Sequence, residues 1–148
     1  MSVTIVKAGL EQLDAVAELF NQYRMFYQQA DDLVLATHFI KQRMQAQQST
    51  ILLAQSLQQA FGFTQLYPSF SSTQAKPILI LNDLFVSESA RGQGFARQLM
   101  DAAKQHALEV GVVSIELATA HNNHKAQALY ESSGYQRDSE FLHYELNV

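Results

Sequence analysis

Residues 78–97 read Ile-Leu-Ile-Leu-Asn-Asp-Leu-Phe-Val-Ser-Glu-Ser-Ala-Arg-Gly-Gln-Gly-Phe-Ala-Arg, and their order decides the fold. Pro77 opens the most apolar segment of the chain, Ile78 to Val86, which is long and β-rich enough to be a central strand buried on both faces. After a loop at Ser87 to Gly92, residues Phe95, Leu99, Ala103, Ala107 and Val110 recur at helical spacing, and Gly111 suits a C-terminal cap. Val112 to Thr119 reads as the next strand. Strand, crossover helix and strand imply a parallel pair within an α/β layer architecture.

The sequence extends this unit in both directions. Val3 to Val6 has the character of a short strand, and Leu13, Val16, Ala17, Phe20, Tyr23 and Tyr27 follow the three-to-four spacing of an amphipathic helix. A second helix spans Leu33 to Ala46. Ile51 to Ala54 and Ala60 to Tyr67 form two strands joined by a polar turn near Gln58, and Ser69 to Lys76 reads as a loop. Downstream, Asn123 to Ser133 is a helix capped by Gly134, and Tyr135 to Leu146 supplies one or two closing strands. No period repeats and no linker interrupts the pattern, so residues 1–148 are expected to form a single domain.

Composition excludes several function classes. With 47% hydrophobic and 16% charged residues, the chain lies outside the disordered range. Its net charge is −4 and its ten Lys and Arg are scattered, so no direct nucleic-acid partner is expected. The absence of cysteine removes disulfides, thiolate metal ligands and a cysteine nucleophile. Met1 to Leu10 lacks the basic start and apolar stretch of a secretion signal, and no run approaches the roughly 18 apolar residues of a membrane span. A cytoplasmic protein without a membrane partner is the expectation. His121 and His124 stand three apart without a third ligand at diagnostic spacing; they read as solvated loop residues, and no metal is expected. Asp31 and Asp32 either draw in a cationic amine or form a solvated turn.

The turn Arg91-Gly92-Gln93-Gly94-Phe95-Ala96-Arg97 lies between the apolar strand and the first turn of a strong helix. Glycines let a ligand approach the backbone closely, and the free amides and dipole of a helix N-terminus favour an anion. Arg91 and Arg97 add positive charge at the mouth. A pyrophosphate fits such a turn; a glycine turn that merely caps a helix is the plainer alternative. Two better-known phosphate loops are excluded. The dinucleotide pattern G-x-G-x-x-G fails at its sixth position, where Arg97 stands, and G-x-x-x-x-G-K-S/T is absent.

Leu81 to Ala96 resembles the acetyl-CoA motif of the GNAT superfamily of N-acetyltransferases, Q/R-x-x-G-x-G/A, with Arg91, Gly94 and Ala96 at its fixed positions. A second block, Asn123 to Tyr130 followed by Ser133-Gly134-Tyr135, resembles that superfamily's N-x-x-A-x-x-L-Y-x-x-x-G-F/Y helix. The match covers Pro77 to Val148, whereas Met1 to Lys76 agrees only in element order. Within the superfamily, the Asn82 to Val86 run and the closing Tyr144-Glu145-Leu146 are most similar to diamine and histone-type acetyltransferases.

The resemblance implies a GNAT-like mixed, centrally parallel sheet flanked by helices on both faces. It also implies acetyl-CoA as cosubstrate without a metal, and an amine acceptor, either a small molecule such as a polyamine or a peptide, attacking directly in a ternary complex. The turn of Arg91 and Gly92 with the amides of Gln93, Gly94, Phe95, Ala96 and Arg97 would cradle the pyrophosphate. The strand backbone at Leu84, Phe85 and Val86 would hold the pantetheine and face the thioester carbonyl. Tyr130 matches the tyrosine facing the CoA sulfur, although on Ala126's face of the helix it would equally serve packing. Asn123 is a helix cap and, in the family, a pantetheine contact. The general base departs from the family pattern: the aligned position is Asn82, whose amide is a poor proton acceptor. Asp83 is next, provided a β-bulge re-aims it, since alternation otherwise sends it to the opposite face. Glu116, a water chain or no base at all are the other options. A homodimer is compatible with the resemblance, and the alternative function is a CoA-binding sensor without catalysis.

Overall fold

A computed structural model describes residues 2–148; Met1, the first residue of the stretch read for a secretion signal, lies outside the described residues. Five strands form one sheet in the order β1 (Thr4–Lys7), β2 (Thr50–Gln55), β3 (Ala60–Ser71), β4 (Lys76–Val86) and β5 (Ile115–Glu116). Neighbours from β1 to β4 pair antiparallel, and β4 pairs parallel with β5 across α3 (Phe95–Val110). The remaining helices are α1 (Leu13–Phe26), α2 (Leu33–Gln45) and α4 (His124–Ser132). The fold is the mixed α/β arrangement expected from the order of elements. Contacts divide it into two compact units, one up to Ala118 and one from Thr119 to Val148.

In the first unit, the apolar spacing of α1 turns Val16, Leu19 and Phe20 onto the sheet. There they meet Ala36 and Ile40 of α2 and Ile51, Leu53, Phe63 and Phe85 of the strands. Burying each large apolar side chain stabilises the fold by about 1.5–3 kcal/mol. The Asp32 carboxylate accepts the Leu35 amide at 3.0 Å and caps α2. Asp31 accepts the Asn21 side-chain amide at 2.8 Å, so both aspartates serve the turn before α2. α3 buries Phe95, Leu99, Met100, Ala103 and Ala107, and Gly111 closes it in the left-handed conformation at φ 77°.

Several expectations are corrected. β4 is not buried on both faces throughout: Ile80 is 38% exposed although it pairs with β5, and Asn82 is exposed, since pairing along an edge satisfies main-chain groups without covering a face. Of Val112 to Thr119 only Ile115–Glu116 pairs, opposite Leu79 and Ile80. The stretch read as a loop from Ser69 to Lys76 is mostly hairpin: β3 runs on to Ser71 and β4 starts at Lys76, which leaves only residues 72–75 as the turn.

In the second unit, Asn123 caps α4 by accepting the Ala126 amide at 3.2 Å. The closing strands expected over Tyr135 to Leu146 do not form. A strand exists only as part of a ladder, and this unit holds no other strand to pair with. Phe141, Leu142, Tyr144 and Leu146 are consequently exposed.

Candidate functional site

Two register shifts in the sheet set the geometry. Between β3 and β4, Gln65 lies opposite Asp83 but Leu66 lies opposite Leu81, which leaves Asn82 as the extra residue of a bulge. The shift changes the parity of β4. Gln65 and Leu66 alternate faces, so Leu81 and Asp83 do too, although they are two residues apart. Asp83 therefore joins Phe85 on the face covered by α1 and α2, where Phe85 packs. Between β2 and β3, Gly62 lies opposite Ala54 while Ala60 lies opposite Gln55, which makes Phe61 the extra residue. Phe61 stacks on Phe95 at the start of α3, with ring centroids 4.8 Å apart.

Asp83 is 3% exposed and fully engaged. Its Oδ2 accepts the Gln65 side-chain amide at 2.6 Å, and its main-chain carbonyl accepts the Thr64 hydroxyl at 2.8 Å. The Ser49 hydroxyl donates to Gln65 Oε1 at 2.7 Å, so the other end of the amide must present its N–H to the carboxylate. The single Tyr23 hydroxyl hydrogen is shared between the Asn82 carbonyl, at 3.3 Å, and the Asp83 carboxylate. Burial pushes the Asp83 carboxyl up to about 6, while the bonds from Gln65 and Tyr23 pull it down. The Tyr67 phenol is raised to about 12 by its own burial and by the nearby Asp83 charge, against a lowering pull from Arg43. Asn82 is exposed beside this group, and Glu116 is exposed on β5.

The second component is backbone. The Ser87 amide donates to the Phe61 carbonyl at 2.8 Å and so points at β3. Alternation turns the main-chain groups of Leu84 and Val86 to the opposite edge, where the β5 ladder has already ended at Ile80, and turns those of Phe85 toward β3. That edge runs into a short 3-10 turn, Glu88–Ala90, and then into the glycine turn. Gly92 and Gly94 have φ of 79° and 87°, and a β-carbon built on either would meet nothing within 4 Å. No side chain caps α3, so its first-turn amides at Phe95 and Ala96 have no acceptor within the helix. Left-handed glycines, open space and uncapped amides fit a diphosphate. The Arg91 Nε donates to the Val86 carbonyl at 3.0 Å.

In the second unit, Tyr130 and Tyr135 place their ring centroids 6.1 Å apart, and Ala126 and Tyr130 are half-buried. The Tyr135 hydroxyl is buried without a partner among the described residues, and its phenol is pushed up to about 12, mainly by burial. Among the described residues no group of three or more His, Asp or Glu is arranged to hold a metal ion, and no helix is long and apolar enough to cross a membrane. A groove of about 920 Å³ lined by Asp14, Glu18, Gln22 and Glu88 contains none of the expected site residues.

Sequence reasoning missed Tyr23, Ser49, Thr64 and Gln65. A signal was present. Two apolar strands each carry one polar pair, Thr64-Gln65 and Asn82-Asp83, and in the antiparallel register Gln65 falls opposite Asp83.

The family model for the acetyltransferase (GNAT) family matches residues 13–135. An uncharacterized N-acetyltransferase, YhfO of Bacillus subtilis (strain 168), is 48% identical over 146 residues, covering 99% of this chain and 98% of the relative. The D-amino-acid N-acetyltransferase HPA3 of Saccharomyces cerevisiae is 34% identical over 79 residues, covering 53% of this chain and 49% of that protein. The crystal structure of a probable acetyltransferase superposes with a TM-score of 0.92 at 41% identity, covering 98% of this chain and 97% of the other. With a family match across most of its length and a relative nearly half identical from end to end, the chain belongs to the acetyltransferase (GNAT) family and is an N-acetyltransferase.

Proposed function

We propose that this enzyme moves the acetyl group of acetyl-CoA to a primary amine by direct attack in a ternary complex. The observation that carries the proposal is the edge of β4 at Leu84 and Val86, left unpaired by β5 with only the Val86 carbonyl taken by Arg91, leading into the glycine turn at Gly92 and Gly94. That arrangement offers main-chain partners for a pantetheine arm and then the amides of the turn, from Gln93 to Arg97, for a diphosphate. The thioester supplies an electrophilic carbonyl and a thiolate leaving group.

The amine must arrive neutral. Asp83 is the acceptor of its proton, and Tyr23, bonded to both the Asn82 carbonyl and Asp83, links the buried carboxylate to the outside. A carboxyl held near 6 is ionised at neutral pH yet basic enough to take a proton. Asn82 contributes its main-chain carbonyl and the bulge rather than a basic side chain. When the amine nitrogen bonds to the acetyl carbon, the carbonyl oxygen becomes anionic, and strand amides at Leu84 or Val86 stabilise it; losing one such donor elsewhere costs about 3 kcal/mol. The C–S bond then breaks. By the resemblance of its motif, Tyr130 would meet the departing sulfur as a hydrogen-bond donor, since full proton transfer from a phenol near 10 to a thiol near 8.5 is uphill by about 2 kcal/mol in water. By the resemblance of their motif, Asn123 and Ala126 would contact the cofactor.

The family match spans both compact units, which supports reading residues 1–148 as one catalytic domain. The relative named a D-amino-acid N-acetyltransferase supports placing amino acids beside the diamines and lysine peptides as acceptors. Calorimetry with acetyl-CoA, followed by thiol release with polyamines, aminoglycosides, amino acids and lysine peptides, tests the function. Release with at least one class is expected. Tight acetyl-CoA binding with a silent panel would instead make the chain a CoA-binding sensor.

A further inference from the structure

Arg91 opens the glycine turn, but its side chain folds back toward the strand. Its Nε donates to the Val86 carbonyl at 3.0 Å, and its Cζ lies 5.5 Å from the ring centroids of both Phe26 and Phe85. Phe26 is the last residue of α1 and Phe85 lies on β4. Among the described residues no carboxylate pairs with this guanidinium. A carbonyl at Nε and two aromatic neighbours fix the plane of the group, and its four terminal N–H donors stay available in a fork matched to two oxygens.

The location of that fork points to its ligand. Phe85 and Asp83 share one face of β4, about 6.6 Å apart along the strand. The Tyr23 ring lies 6.2 Å from that of Phe85, and the Tyr23 hydroxyl reaches the bulge. A molecule whose amine sits at the Tyr23–Asp83 end therefore has a cation available across one aromatic side chain. We infer that Arg91 binds the carboxylate of the acceptor, which makes the preferred acceptors amino acids with a free carboxyl group. This rests on the acetyltransferase reading of the site. The other source of an anion is the diphosphate of the cofactor, and the experiment separates the two.

Three measurements decide it. First, wild-type kcat/KM is compared for an amino acid, its methyl ester and the amine left when the carboxyl is deleted, for example L-ornithine and putrescine. Charge-assisted paired bonds predict a preference for the free acid of about 10- to 100-fold. Second, Arg91→Gln should erase most of that ratio, and Arg91→Lys, which keeps the charge without the fork, should restore part of it. Third, calorimetry follows L-ornithine binding to the CoA-loaded protein and, separately, CoA binding to the free protein. Arg91→Gln should weaken the first at least tenfold and the second less than threefold.

A wild-type enzyme indifferent to the carboxyl group overturns the proposal. So does a variant that loses CoA affinity while keeping the acid-to-amine ratio, which would assign Arg91 to the diphosphate. If no amine releases thiol but L-ornithine binds in an Arg91-dependent way, the enzyme reading fails and the carboxylate site stands.

Discussion

The glycine turn and the bulge on β4 are both interruptions of apolar sequence, and they are built in opposite ways. At Gly92 and Gly94 the backbone is left-handed, a β-carbon would meet open space, and no side chain caps the helix that follows. At Asn82 and Asp83 side chains meet every demand: the carboxylate is held by Gln65, which Ser49 orients, and by Tyr23. On the proposed reading, one region would offer main-chain donors to an anion from outside, and the other uses side-chain donors to hold a buried carboxylate. The difference would then separate recognition by main chain from proton handling by side chains.

The sharpest way to break the first half of the comparison is Gly94→Asp. The new side chain has room, and aspartate tolerates φ 87° better than most residues, so the fold should persist. Its charge occupies the anion's place, and calorimetry should find acetyl-CoA affinity lowered by at least about 100-fold, or some 2.7 kcal/mol. Affinity near wild type would mean that the diphosphate lies elsewhere. The second half is tested by Asp83→Asn. Turnover should fall roughly 100- to 1,000-fold with acetyl-CoA affinity nearly constant, and the rise in kcat/KM centred near pH 6 should vanish. An intact limb would assign Asp83 to structure alone.

Tyr130→Phe should lower turnover by roughly tenfold to 100-fold and affinity much less. Equal turnover would return the residue to packing against Tyr135. Asp83 also leaves a mark on stability. Its carboxyl is raised from an ordinary 3.8 to about 6, so the folded state favours the protonated form. Its contribution is fully present below about pH 4, is lost as pH rises through 6, and is level above that. Denaturant titrations should show a loss on the order of 2–3 kcal/mol across that window for the wild type. The Asp83→Asn protein should lack that component, and an identical slope would mean that other groups cause it.

Gly62→Ala gives the clearest contrast with Gly94. A β-carbon at Gly62 would stand 2.6 Å from the Phe85 carbonyl oxygen and 3.1 Å from Val86 Cα. The variant should melt lower by an amount worth about 1–3 kcal/mol, as overpacked sites do. Unchanged melting would show that β3 and β4 separate easily.

This pair of glycines also shows what a sequence displays and what it hides. Gly94 is visible because it lies between a strand pattern and a helix pattern, and its backbone role follows from local order. Gly62 looks like any small residue in a strand, because its reason lies across the sheet in Phe85. Asp83 behaves likewise. Local alternation assigns it to the wrong face, and only the pairing of Gln65 and Leu66 against Asp83 and Leu81 reverses that assignment. Tyr23 was visible as a core residue of α1, but its hydroxyl acquires a role only through a residue 59 positions away. The helices were legible throughout because their periodicity is intrinsic. The strand over Val112 to Thr119 and the closing strands were not, because an apolar run shows that a segment suits a ladder and leaves open whether a partner edge is present.

The stack of Phe61 on Phe95 carries one last consequence. Phe95 is the first residue of α3, and a ring-on-ring contact from the sheet pins it before any ligand arrives. On the proposed reading, an arriving diphosphate would meet amides whose orientation is settled during folding. The entropy of arranging them would be charged once to the folding reaction, not at every catalytic cycle.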